Sequence, residues 1–292
     1  MWGSIPSLFY MSRRLRFVPP EGALVEITCR TVQGRLLLRP SPVLNEVIRG
    51  VLARSVRLYV VEMNAFTFLS NHFHLLLSVY DARQLAAFMT YLNSNLAREA
   101  GRLVRWREKF WGRRYQAIIV SAEEEAQVAR LTYILAHGVK EGLVESPLDW
   151  PGVHCARALV EGTVVSGVWH DRTLAYKARR GHLPLDPEAF VEREELTLAP
   201  IPCWRWMTPA AYRERVQGLI TEIEGGARRR REETGTPPLG REAVCRQNPH
   251  LEPNRIKKSP APLAHAATPA VRRALRQAYL TFCAALRTRK GR

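Results

Sequence analysis

Apolar and polar residues alternate along Ala23 to Cys29, a period of two that predicts a first strand. Ser41-Pro42 then supplies an N-cap and a first-turn proline, so a helix is expected from there to about Ser55. A second strand is predicted over Leu58 to Phe68, a turn at Leu69-Ser70-Asn71, and a third strand over His72 to Val79, so that the last two form a hairpin. Asp81, with Gln84 three residues on, opens a second helix whose apolar stripe is Leu85, Phe88, Leu92 and Leu96. Trp111 to Val120 reads as a fourth strand. Ser121 and Glu124 have the spacing of a capping box for a third helix that ends near His137, with Gly138 as its stop. The order β-α-β-β-α-β-α predicts an α+β fold of the ferredoxin-like kind, an antiparallel sheet with helices on one face.

Past Pro151 the pattern loosens into shorter helices, one of them starting at Thr208-Pro209. Pro237-Pro238 and the proline-rich stretch from Pro249 to Pro269 read as extended linkers before a final basic helix, roughly Ala270 to Leu286. No internal repeat is visible. The expected division is a core domain over residues 1–154 and a basic, mostly helical C-terminal extension over residues 155–292.

Composition changes this picture in one respect. With 292 residues, 46% of them hydrophobic, the chain can build one large domain or a core plus an extension. No apolar run approaches the ~18 to 20 residues of a membrane span, and the first 20 residues hold no signal-peptide core, so no membrane partner and a cytoplasmic location are expected. Cys29, Cys155, Cys203, Cys245 and Cys283 form no CxxC pair, which argues against a zinc knuckle or a disulfide framework. The net charge of +17 is the informative number, because such an excess of Lys and Arg suits a polyanion, and nucleic acid is the commonest one. From Arg228 to Arg292 there are 16 Lys plus Arg against 4 Asp plus Glu, which places 12 of the 17 net charges in an electrostatic arm.

Candidate chemistry begins at Asn71-His72-Phe73-His74. On a strand His72 and His74 share one face while Phe73 points to the other, and two imidazoles on one face can hold a divalent cation or can simply be a polar face. On the third helix Val128, Leu131, Ile134 and Leu135 cluster on one side, with Tyr133 and His137 one turn apart on the opposite side beside Arg130. By itself that side reads first as a solvated polar face. Between Arg102 and Arg114 the chain interleaves Arg102, Arg105, Arg107, Lys109, Arg113 and Arg114 with Trp106, Phe110 and Trp111, a composition suited to gripping phosphates and stacking bases. Phe110 and Trp111 could equally fill the core at a strand start. Arg228, Arg229, Arg230, Arg231, Lys257 and Lys258 read as sequence-independent phosphate binders.

The segments LSNHFHLLLSV, FWGRRYQAIIVSAEEE and TYILAHGVKEGLVESPLDWP, in that order and spacing, resemble the single-tyrosine HUH transposases, and within them the REP-associated tyrosine transposases. The resemblance spans about Leu24 to Val153 and implies an HUH endonuclease fold. It implies that His72 and His74 bind the catalytic metal, Mg²⁺ or Mn²⁺, and that Tyr133 attacks DNA. Arg130 and Lys140, near the end of the catalytic helix, join the expected DNA-binding set. Tyr91 and Tyr115 are rival tyrosines with ordinary roles in a helix and a strand.

The family places Asn before Pro, or Gln, four residues after its nucleophile as third metal ligand, whereas this chain has His137 followed by Gly138. Three imidazoles would shift preference from Mg²⁺ toward Mn²⁺, Co²⁺ or Zn²⁺. The implied function is a metal-dependent single-stranded DNA endonuclease and strand transferase that cleaves near a DNA hairpin through a 5′-phosphotyrosine. The alternative is a catalytically inactive hairpin-binding or regulatory protein on the same fold. Monomer and homodimer are both open.

Overall fold

The computed structural model describes residues 16–181, 186–253 and 262–288. The first half of the chain forms β1 (Ala23–Arg30), α1 (Pro42–Tyr59), β2 (Glu62–Leu69), β3 (His72–Val79), α2 (Ala82–Leu103), β4 (Gln116–Val120) and α3 (Glu124–Leu135). The second half adds α4 (Ala156–Glu161), β5 (Val165–His170), α5 (Arg172–Arg180), β6 (Val191–Leu196), α6 (Pro209–Thr234), α7 (Arg241–Arg246), β7 (Ala264–His265) and α8 (Pro269–Thr288). The main sheet has the order β2-β3-β1-β4-β7. β1 runs antiparallel to both β3 and β4, and β2 antiparallel to β3, which is the expected α+β, ferredoxin-like arrangement. Among the described strands only β7, at the edge, is parallel to its neighbour.

Register decides what each face carries. Arg30 lies opposite His72, Thr28 opposite His74 and Glu26 opposite Leu76, so Glu26, Thr28, His72 and His74 share one face. Val25, Ile27, Cys29, Phe73 and Leu75 occupy the other face and are buried. On that apolar side the Cys29 thiol meets the Asn93 side chain of α2, and α1 packs on α2 through Tyr59 and Tyr91, their rings 5.6 Å apart. The expected stripe Leu85, Phe88, Leu92 and Leu96 is wholly buried.

Several boundaries differ from expectation. Leu58 and Tyr59 belong to the last turn of α1, and β2 starts only at Glu62. The fourth strand starts at Gln116. Trp111 touches the sheet through an isolated bridge to Thr31, because residues 111–115 turn away with Gly112 donating to the Arg30 carbonyl. The Ser121/Glu124 capping box does not form. Glu123 is the N-cap, and its carboxylate accepts instead from Ser121 Oγ and from the backbone N–H groups of Ala267 (2.8 Å) and Thr268 (3.0 Å). Within the stretch Pro249 to Pro269, expected as a linker, β7 adds to the sheet edge; residues 254–261 lie outside the described set.

The sheet face opposite α1 and α2 is covered by α3 and by the C-terminal half. Leu131, Ile134 and Leu135 share one buried cluster with Ile201, Trp204, Val216 and Ile220. The Trp204 indole donates to Glu124 at 2.8 Å, and the Cys203 N–H to Gln127 at 3.0 Å. β5 and β6 form a separate two-stranded ribbon that lies along α1. The approach is close because Gly50 of α1 faces the ribbon backbone: a Cβ there would stand 2.1 Å from the Val168 carbonyl oxygen. Gly50→Ala is therefore expected to destabilise the protein by about 3 kcal/mol or more, read as a lower urea midpoint, whereas an ordinary Gly→Ala change in a helix stabilises it.

Candidate metal and nucleophile site

Strand β3 and the end of α3 build the site. The β3 pleat presents His72 and His74 together, and α3 crosses that face so that Tyr133 and His137 point down onto them. The His74 and His137 ring centres are 4.3 Å apart, those of His72 and His74 5.2 Å, and those of His72 and His137 5.8 Å. One ring nitrogen from each of the three lies within 4.8 Å of the others. Tyr133 stands over them, its ring centre 4.5 Å from that of His137 and 5.5 Å from that of His74. The supposedly polar side of α3 is thus an interior side, and His137 is 1% exposed. It lies just beyond the last regular turn, where Gly138, at φ +91°, ends the helix as expected.

Each imidazole has its Nδ1 engaged. His137 Nδ1 lies 2.7 Å from the Tyr133 carbonyl, which can only accept, so Nδ1 carries the proton. His72 Nδ1 is 2.6 Å from Asn71 Oδ1, an oxygen whose orientation is set by Asn71 Nδ2 donating to the Gly34 carbonyl. His74 Nδ1 faces the Glu26 carboxylate at 3.1 Å and the Thr28 hydroxyl at 3.0 Å. All three rings therefore present Nε2 as a lone pair, which is what a divalent ion requires. Burial and the neighbouring His74 push His137 down to about 3, and burial with His74 and His137 lowers His72 well below the ordinary imidazole range. Glu26, 3% exposed, would be raised by burial, but His265 and His74 hold it well below the usual carboxylate range.

Cations surround the tyrosine. Lys140 Nζ lies 4.0 Å and the Arg130 guanidinium 4.7 Å from the centre of the Tyr133 ring. Arg230, at the tip of α6, donates to the Lys140 carbonyl at 3.2 Å, which brings the Arg228–Arg231 run to the rim of the site. Arg228, Arg229 and Arg230 are exposed and Arg231 is half-buried, while Lys257 and Lys258 lie outside the described residues. The basic loop after α2 also borders the site, since Val32 donates to the Phe110 carbonyl and Thr31 to the Asn71 carbonyl, beside His72. In it Arg105, Arg107, Lys109 and Arg113 are exposed, as is Arg102 in the last turn of α2, and Arg114 covers the Tyr115 ring. Trp111 is turned inward, its indole donating to the Asn93 carbonyl and its ring against Phe73 and Phe110.

Sequence reasoning missed the residues that hold the histidines. Glu26 had a signal, a charged residue at an alternation position in an otherwise apolar strand. Asn71 and Thr28 had none beyond proximity. His154 was also missed; its Nδ1 accepts from the Ala156 N–H at 3.0 Å, its ring abuts the carbonyls at the end of α3, and burial lowers it to about 4.

Two histidines of the sheet thus meet a tyrosine and a third histidine from the end of α3, with arginines around them. Residues 37–136 match the family model described as IS200-like transposase, a segment that contains His72, His74 and Tyr133 and stops one residue short of His137. Over that segment, 100 of the 292 residues, this chain is similar to the IS200-like transposases. Two solved structures are similar. One is a REP-associated tyrosine transposase bound to a REP hairpin, at 19% identity and a TM-score of 0.42, over 52% of this chain and 87% of that one. The other, named as a candidate transposase from Deinococcus radiodurans R1, shows 17% identity and a TM-score of 0.30, over 42% and 96%. Among curated proteins none matches. No helix among the described residues is long and apolar enough to cross a membrane.

Proposed function

We propose that this transposase is a metal-dependent single-stranded DNA endonuclease and strand transferase of the REP-associated kind, acting beside a DNA hairpin with Tyr133 as its nucleophile. The observation that carries this reading is the convergence of Tyr133 with three histidines whose lone pairs point to one place. His72, His74 and His137 are the ligands of the ion. A divalent ion held by them would supply Lewis-acid stabilisation of the charge that develops on the phosphate.

Tyr133 attacks phosphorus in line through its phenol oxygen, forming the Oη–P bond as the P–O3′ bond breaks. The phenol proton is lost and the 3′ oxygen leaves as a hydroxyl, giving a 5′-phosphotyrosine and a free 3′ end. A second 3′-hydroxyl reverses the step on another strand without ATP, because the linkage keeps the bond energy. Arg130 and Lys140 flank the ring where the phosphate must sit, and a cleft between α3 and α8 lined by Arg130, Arg272 and Arg276 continues that basic surface. The all-imidazole set favours Mn²⁺ over Mg²⁺.

The test is incubation of the purified protein with labelled single-stranded hairpin DNA from the flanks of its own gene, in Mn²⁺, Mg²⁺ or chelator. A covalent protein–DNA adduct formed with metal, absent with chelator and mapped by mass spectrometry to Tyr133, is the expected result. Tight hairpin binding with no adduct under any metal would instead leave a DNA-binding protein on the transposase fold.

A further inference from the structure

Glu26 is a buried carboxylate reached from three directions. Its Oε1 lies 3.1 Å from His74 Nδ1 on β3, and its Oε2 lies 3.5 Å from Arg130 on α3 and 2.9 Å from His265 Nε2 on β7, the last a close contact short of hydrogen-bond geometry. A charge this enclosed persists only if partners replace the water it lost. The third partner comes from the far end of the chain. His265 is placed by a two-residue pairing of β7 with β4 and by the Ser121 N–H donating to its carbonyl at 2.9 Å. The Glu123 carboxylate then receives the N–H groups of Ala267 and Thr268, which fixes the chain as it enters α8.

We infer that Glu26 is a positioning residue for His74 and that the C-terminal segment, through His265, holds Glu26 in that role, so the site is incomplete without a residue outside the matched transposase segment. The metal part of this inference rests on the three-histidine reading above. The Glu26 oxygen accepts a hydrogen bond from Nδ1–H of His74, which fixes the ring's tautomer and aims Nε2 at the other two imidazoles. Without His265, Oε2 keeps only Arg130 at 3.5 Å, and the carboxylate is free to turn toward that guanidinium and away from Nδ1. Removing either partner should therefore be felt at His74, even though His265 touches no ligand nitrogen. His265 is at a half-buried sheet edge, so its removal leaves the core intact.

The experiment uses the full chain as wild type, Glu26→Gln and His265→Ala. Mn²⁺ alone is titrated calorimetrically, and the ring nitrogens of His74 are read by long-range ¹H–¹⁵N correlation spectra in the metal-free protein. Supporting results are a dissociation constant for Mn²⁺ raised about 10-fold or more in Glu26→Gln, a smaller rise in His265→Ala, and a single Nδ1–H tautomer of His74 that becomes mixed in both. Unchanged affinity and tautomer in both variants would overturn the inference. A change in Glu26→Gln alone would overturn the part assigned to the C-terminal segment. If the wild type takes up no Mn²⁺ while the tautomer is locked and then lost in the variants, the positioning role holds and the metal reading fails.

Discussion

Tyr133→Phe is expected to lower cleavage of hairpin DNA by about 10⁴-fold or more while leaving DNA binding within about twofold, because it removes only the attacking oxygen. The phenylalanine ring keeps its place against His74 and His137 and between Arg130 and Lys140, so neither the histidine cluster nor the basic rim should move. Neither rival tyrosine, Tyr91 or Tyr115, is placed to take over. Tyr115 is 6% exposed beneath Arg114, and Tyr91 lies on α2 against Tyr59 and Trp169, on the other side of the sheet. Adduct yield on a sequencing gel and hairpin affinity by fluorescence anisotropy check the two halves separately. Metal-dependent cleavage that survives in Tyr133→Phe would remove Tyr133 from the chemistry.

The metal-free protein is expected to lose stability steeply in mild acid. His137 and His154 titrate at about 3 and about 4 in the folded chain, because burial opposes their charged forms, against an ordinary value near 6.5 in the unfolded chain. A lowered folded value means that the unfolded chain binds more protons throughout that interval. Stability therefore rises with pH between about 4 and 6.5, levels off above it, and is lost on acidification. With nearly two extra protons on the unfolded chain near pH 5, the slope is about 2.5 kcal/mol per pH unit. His72, lowered in the same direction, steepens it. Urea unfolding at pH 4.5, 5.5 and 6.5 measures this slope, and His154→Phe should reduce it by about one proton's worth. A flat profile would mean that these imidazoles are not buried neutral.

Much of the core was legible because local pattern and tertiary environment agree there. The stripe Leu85, Phe88, Leu92 and Leu96 is one face of a helix and is wholly buried, so period and burial carried the same information. His72 and His74 were found because a strand pleat fixes the face of a side chain from spacing alone. β5 and β6 were missed for a physical reason. Val191 to Leu196 reads VEREEL, and the inward position Glu194 is a charge neutralised by Arg54 and Arg57 of α1, so no hydrophobic alternation exists to be read. The capping box at Ser121 failed similarly, since the N-cap Glu123 is engaged by backbone N–H groups more than 140 residues away.

The sequence by itself determined the order of the core elements, the hairpin with its two histidines on one face, the one-turn spacing of Tyr133 and His137, and the excess of positive charge. Those properties depend on neighbours a few residues apart, where spacing and geometry are nearly equivalent. Only the tertiary structure decided that the Tyr133–His137 side of α3 faces the sheet rather than water. The reason lies at long range: Ile201, Trp204 and α6 cover the helix's apolar side, so its polar side can close only onto β3. The same packing brings Glu26, Arg130 and His265 together from three distant segments, a contact that no local periodicity encodes.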